Sequence, residues 1–384
     1  MRRPKSILAA GVAVLALGVV PAGAAAQSDQ SAGNSASSTA TNDSSTTQGA
    51  YQSQSSNSGC SYGCGGSGQY QGLSQDASTE QDASSGAAAN QEAINANVPV
   101  TIGSGNDSGD SSANQYLDNS ASSEASNQAT TTQEAGQQQS SDSSCHVGCG
   151  GSGQAQQLEQ DAETVQKAES GAEANQRAIN ANVPVVIGFG NKSGSSSADQ
   201  KLSNDADSKA TNKAATEQAA AQEQDSSSDC KFGCGGAGQA QKLGQRASTV
   251  QHADSWAEAN QEAINANVPV VIGWHNDSGD SSATQELDNS AESKAKNDAT
   301  TTQEAAQSQK AESDGKAGSG GAGQFQGLWQ DASTEQKADS WAEANQAAEN
   351  VNSPVTVGKG KKKHDKCKKH DKCKKGKGSK KSHR

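Results

Sequence analysis

Over residues 69–97 every second position holds its identity while the positions between them drift. Read alternately from Gln69, the chain gives Gln, Gln, Leu, Gln, Ala, Thr, Gln, Ala, Ser, Ala, Ala, Gln, Ala, Asn and Asn. The stretches beginning at Gln154, Gln239 and Gln324, each 85 residues further on, give the same fifteen residues. In between, the site of Ser74 becomes Glu159, Gly244 and Trp329, and that of Asp82 becomes Lys167, His252 and Lys337. Among the drifting positions only Asn90 stays fixed, as Asn175, Asn260 and Asn345. A second block behaves alike: alternate residues from Gln115 to Gln137 recur unchanged from Gln200 and Gln285. A frayed copy near the N-terminus keeps Asn34, Ala36, Ser38, Ala40, Asn42, Thr46, Gln48, Ala50 and Gln52.

This period separates strand from helix. Propensity alone favours a helix over residues 156–178, which are rich in Ala, Glu and Gln. A helix turns every 3.6 residues, so a rule on every second residue would be smeared around its circumference. In a strand the fixed residues share one face and the drifting, often charged ones share the other. One strand spanning a 29-residue block would reach roughly 95 Å, which predicts corners or hairpins within each block.

The fixed face is small and hydrogen-bonding. Equal residues stacked about 4.8 Å apart form ladders in which amide side chains bond along the stack. The inward ladder is assigned to Gln75, Gln81, Gln91, Gln160, Gln166, Gln176, Gln245, Gln251, Gln261, Gln330, Gln336 and Gln346, with a sparse apolar row of one leucine per block, Leu73, Leu117, Leu158, Leu202, Leu243, Leu287 and Leu328. Composition then agrees with such an interior. Leu, Ile, Val and Phe make up 38 of 384 residues, too few for an ordinary apolar core. The expected fold is an all-β repeat, a β-solenoid or cross-β stack with a polar Gln/Asn/Ala/Ser/Thr interior and disordered flanks. The competing reading is a largely disordered, low-complexity chain.

Motifs such as Gln133-x-Ala135 and Asn119-x-Ala121-x-Ser123 resemble the curlin repeats of bacterial functional amyloid, although the period is 85 residues and the curlin Gln-x-Gly-x-Asn core is missing. The Val98-Pro99-Val100 segment is distantly similar to chaplin-type surface proteins. The resemblance implies a fibrous or surface-coating role.

The organisation follows from the period. Residues 1–26 read as a signal peptide: Arg2, Arg3 and Lys5 precede a short apolar run and Ala24-Ala25-Ala26. Residues 27–68 form a partial repeat with a Cys-Gly linker. Full repeats span 69–153, 154–238 and 239–323, and a partial one spans 324–358. Residues 359–384 form a disordered basic tail carrying 14 Lys plus Arg against 2 Asp, so the rest of the chain, with 17 basic and 41 acidic groups, is strongly acidic. Secretion to the outside or to the cell surface is expected.

The linkers suggest local chemistry. Val98-Pro99-Val100 shifts the apolar phase by one residue, which predicts a bulge or corner with Pro99 at an edge. Asn106, Asn191 and Asn276 head Asn-x-Ser sequons and sit in segments read as turns rather than calcium loops, because the middle copy loses both acids. Cys60/Cys64, Cys145/Cys149 and Cys230/Cys234 are Cys-x3-Cys pairs, lost together at Gly315 and Ser319. They are expected to form local disulfides clamping Gly-rich turns, with intermolecular bridges or metal binding as alternatives. In the tail, His364, Cys367, His370 and Cys373 form a candidate set for a divalent transition metal; a Cys367–Cys373 bridge or a plain cationic tail competes with it. Lys361, Lys362, Lys363, Lys368, Lys369, Lys374, Lys375, Lys380 and Lys381 are the candidate polyanion contacts, toward wall polymer or extracellular DNA.

No catalytic motif is found, and no histidine recurs between copies, so an enzyme is not expected. No other cofactor or small-molecule substrate is implied. The expected function is a secreted structural protein of a surface, matrix or fibre that self-associates through β ladders. The alternatives are a disordered spacer presenting its tail, and an ice- or carbohydrate-binding solenoid. Trp256, Trp329 and Trp341 on the drifting face are the aromatic candidates for the last of these.

Overall fold

The computed structural model describes residues 26–358, apart from 64, 108, 149, 193, 234, 278, 318 and 319. Each 85-residue period forms one rung of a stack. The first rung is β1 (Ala26–Tyr62), β2 (Gly68–Asn97) and β3 (Val100–Ser104). The second is β4 (Ser111–Val147), β5 (Gly153–Asn182) and β6 (Val185–Phe189). The third is β7 (Ser196–Phe232), β8 (Gly238–Asn267) and β9 (Val270–Trp274), and the fourth is β10 (Ser281–Ala317), β11 (Gly323–Asn352) and β12 (Val355–Val357). Equivalent strands pair in parallel, giving three four-stranded sheets ordered β1-β4-β7-β10, β2-β5-β8-β11 and β3-β6-β9-β12. The described chain is thus all-β, a β-solenoid-like repeat.

Register is locked to the period. Gln75 pairs with Gln160, Gln160 with Gln245 and Gln245 with Gln330, and every position beside them keeps the same offset. A slip of one residue would turn the whole inward set outward, so the fixed face defines the pairing. The two long sheets face each other, with the chain running out along β1 and back along β2. Asn34 therefore reaches the backbone of Asn90, and Gln48 that of Asp76.

The long blocks do not bend at corners or fold back as hairpins. They are single strands of 37 and 30 residues, the longer reaching about 120 Å. An isolated strand of that length would not hold. Here an inner strand has a backbone ladder on each side and a full facing sheet, so straightness costs nothing at any one residue.

Corners fall only at the linkers. Pro99 lies in the two-residue step between β2 and β3, and the ladder runs on around it: Val183 N donates to Asn97 O, and Val185 N to Pro99 O. Pro99 is therefore a corner residue in the edge rung, and its copies Pro184 and Pro269 hold the same corner between rungs, where the missing N–H falls between two ladder bonds. Past the corner Thr101, Val186 and Val271 are buried, while Ile102, Ile187 and Ile272 point out.

The interior is made of alanines, amides and hydroxyls. Ala87, Ala89, Ala121, Ala172, Ala174, Ala206, Ala257 and Ala259 form one apolar layer, and Leu117 and Leu202 fill another with Ala93, Ala178 and Ala263. Small residues let the two sheets approach closely. Every buried polar residue among those described is Asn, Gln, Ser or Thr.

Candidate functional site

Along the interior, glutamine amides bond in two directions at once. Gln160 Nε2 donates to Gln75 Oε1 one rung away (2.8 Å) and to Ala219 O across the interior (3.2 Å). Gln166 does the same with Gln81 Oε1 (2.7 Å) and Lys213 O (3.0 Å), and Gln176 with Gln91 Oε1 (2.9 Å) and Ser203 O (3.1 Å). Gln245, Gln251 and Gln261 continue these rows, and Gln330, Gln336 and Gln346 end them in the fourth rung. Each amide of the first three rungs thus ties rung to rung and sheet to sheet. Nine of these twelve glutamines are buried; the three in β11 are exposed because no rung covers them.

Asparagine rows accompany them. Asn95, Asn180, Asn265 and Asn350 form one row, and Asn34, Asn119, Asn204 and Asn289 another. Thr46, Thr79, Thr131, Thr164, Thr216 and Thr249 link hydroxyl to hydroxyl back and forth between the sheets. A buried amide left unpaired costs about 1–3 kcal/mol, so these networks specify alignment as much as they stabilise.

The fixed outward Asn90 column has a cause. Asn175 Nδ2 donates to Asn90 Oδ1 (2.8 Å) and to Glu173 Oε1 (2.6 Å), and Asn260 and Asn345 repeat the arrangement with Glu258 and Glu343. It is a ladder on the wet side that also holds a column of carboxylates.

The drifting face is less permissive than its sequence suggests. Arg177 sits between Glu92 and Glu262 of the neighbouring rungs (3.3 and 3.4 Å). Lys201 meets Glu286 (2.9 Å), and Lys209 meets Glu124 (2.7 Å). Within a strand, Lys167 pairs with Glu169, and that hydrogen bond raises the lysine above its ordinary value. Charge changes from copy to copy here place opposite signs side by side. Single-sequence reading missed this because it compares residue types, whereas the pairing depends on which copy lies above which.

The turn after β3 is a further ladder. Asn191 is fully buried; its Nδ2 donates to Gly103 O (2.9 Å) and Ile187 O (3.2 Å), and its Oδ1 accepts from Asn106 N (2.9 Å). Asn276 repeats this one rung on. These sequon asparagines are structural pegs, and the folded turn leaves no room for a glycan on Asn191. Asp107 accepts from Gly109 N, closing the turn, and Gly109, Gly194 and Gly279 adopt the left-handed backbone it needs.

Cys60, Cys145 and Cys230 lie near the ends of long strands and are register partners in adjacent layers. Adjacent layers lie about 4.8 Å apart, a separation a bridge between copies can span. Cys64, Cys149 and Cys234, and with them the local pairing, lie outside the described residues. So do His364, Cys367, His370, Cys373 and all the tail lysines.

Among the described residues one mixed cluster could hold a metal: His252, Asp254 and Asp339, whose ligand atoms lie within 4.8 Å of one another. Lys337 Nζ is 2.7 Å from Asp339 Oδ2 and holds that carboxyl below its usual range, so the pair already has its cation. Trp256 and Trp341 are register partners and about half exposed; Trp256 covers Gly171 of the rung before it.

Comparison with known proteins gives no matching family model, no matching curated protein and no matching solved structure. The likeness to curlin and chaplin sequences is therefore one of residue pattern.

Proposed function

We propose that this chain is a secreted structural repeat protein of a cell surface, extracellular matrix or fibre, that it self-associates through its β ladders, and that its basic tail attaches it to anionic polymer. The observation that carries this reading is the long edge at each end of the stack. Among the described residues β1 and β11 each pair on one side only, and neither is short, charged on its inward face or covered by another element. Natural sheets usually blunt such edges, and repeat stacks usually cap them. An uncovered edge of this length suits a protein whose work is assembly.

The order of the body removes the premise of the disordered-spacer alternative. An ice or sugar surface needs a regular outward array, and here the outward columns of these strands other than that of Asn90 change from rung to rung, as at Ser74, Glu159, Gly244 and Trp329. The test is assembly of the protein lacking residues 1–26. Fibres or sheets with a reflection near 4.8 Å along their axis are expected. A protein that stays monomeric up to high concentration would overturn the reading.

A further inference from the structure

The two ends of the stack are not equivalent, because the amide rows have a direction. In every long glutamine row the Nε2 of a later rung donates to the Oε1 of the earlier one: Gln133 to Gln48, Gln218 to Gln133, and Gln303 to Gln218. Gln137, Gln222 and Gln307 do the same, as do Gln139, Gln224 and Gln309. The buried asparagine rows run the opposite way: Asn42 donates to Asn127, Asn127 to Asn212, and Asn212 to Asn297.

The consequence appears at the ends. At the fourth rung the glutamine oxygens have no amide beyond them, and Gln309 Oε1 is shielded from solvent without a partner. At the first rung Gln48 has its oxygen engaged by Gln133, and its nitrogen donates only across the interior, to Asp76 O. An amide nitrogen carries two N–H groups, so one remains free at this end. The fourth-rung end therefore offers glutamine acceptors, its Asn289 and Asn297 nitrogens each donating already to two backbone oxygens, and the first-rung end offers glutamine donors and the Oδ1 acceptors of Asn34 and Asn42. Apolar rows are cut at the same planes. Leu158 and Leu243 are buried, whereas Leu328 in the same row is 52% exposed.

We propose that copies of this chain join head to tail in register, the fourth rung of one copy against the first rung of the next, giving a polar rod in which the period of 85 residues runs unbroken across the junction. This rests on the self-association reading above and adds its interface and polarity. Gln48 of the second copy then stacks on Gln303, Gln52 on Gln307 and Gln54 on Gln309, each pair lying three periods apart in sequence. Leu73 covers Leu328, and Tyr70 meets Phe325, both of which are exposed aromatics in the single chain. The junction repeats the rung-to-rung interface already present three times within the chain. Joining like ends about a two-fold axis would instead run the facing strands antiparallel, so no row would meet its own continuation across the junction.

Two variants test it, each blocking one end with lysines that reach solvent in the single chain: Leu328→Lys with Gln303→Lys at the last rung, and Ala40→Lys with Gln48→Lys at the first. Both are made in the protein lacking residues 1–26 and studied by analytical ultracentrifugation in high salt, which screens attraction between tail and body. Circular dichroism checks that each retains its β signal. Each variant alone should sediment as a monomer, and an equimolar mixture should give a discrete dimer through the two intact ends. A variant that dimerises or polymerises alone would overturn the proposal in favour of like-end or side-by-side packing. A mixture that stays monomeric while the unaltered protein forms rods would overturn it too. An unaltered protein that itself stays monomeric would remove self-association altogether, which separates failure of the broader reading from failure of the polarity.

Discussion

Replacing Gln166 by leucine is the sharpest probe of the interior. Gln166 donates to Gln81 Oε1 and Lys213 O, and accepts from Gln251 Nε2. Leucine fits the space but ends all three bonds. Lys213 O keeps its place in the backbone ladder, and Gln251 keeps its bond to Asp298 O. Two groups are left unpaired and dry: Gln81 Oε1 and one N–H of Gln251. At about 1–3 kcal/mol each the loss is about 2–6 kcal/mol. The added apolar burial returns about 1–2 kcal/mol, leaving a net destabilisation of about 0–5 kcal/mol, centred near 2–3. Gln336→Leu, in the same row but in the last rung, orphans only Gln251 Oε1, about 1–3 kcal/mol before the gain from apolar burial, and so costs less than Gln166→Leu. Glu163→Leu, on the outward side of the same strand as Gln166, stays within about 0.5 kcal/mol. Hydrogen exchange is the suitable assay, since a stack of rungs does not unfold as one two-state unit. Protection should fall most around the second and third rungs of the Gln166 variant. If Gln166→Leu loses no more protection than Glu163→Leu, the interior is not held by amide rows and the reasoning fails.

Further expectations follow from the same geometry. Arg177→Glu sets three carboxylates in one column with Glu92 and Glu262; it should lower the melting temperature at low salt by an amount equivalent to about 1 kcal/mol, and added salt should restore most of it. Asn191→Asp keeps the acceptor for Asn106 N but loses the bonds to Gly103 O and Ile187 O, so amide protection in the turns after β3 and β6 should drop by the equivalent of about 1–3 kcal/mol. No buried polar side chain among the described residues titrates, so stability should be nearly flat through neutral pH. Asp339, held below its ordinary value by the hydrogen bond from Lys337, adds a contribution present above the unfolded carboxylate pKa and lost as pH falls through the lowered one. A urea midpoint that moves sharply near pH 6–7 would point to an interior histidine or carboxylate. Removing residues 359–384 should abolish retention on heparin or DNA columns; retention that persists would take the anchoring role from the tail.

Much of this fold can be read from one chain because the copies act as their own comparison. The alternating identity at Gln75, Gln160, Gln245 and Gln330 carries strand, face and register together. Strand length was hidden, because straightness depends on neighbouring rungs that a local reading does not supply. The Asn106, Asn191 and Asn276 ladder was hidden by its sequon, a pattern that says nothing about burial. The outward pairs, such as Lys209 with Glu124, needed the stacking order before two unlike residues could be recognised as partners. The ends were legible least, since row direction is a property of amide orientation, which no residue letter records.

The one-period register also fixes how such a molecule can change size. Deleting a single residue from a long strand would turn every later side chain in that strand inside out, burying charge and exposing alanine. Deleting a whole unit would shorten the stack by about 4.8 Å and leave each remaining inward side chain with the partner type it had before, while the outward pairs change. Length is thus quantised in units of one circuit of the chain, each added or removed whole without disturbing the inward rows.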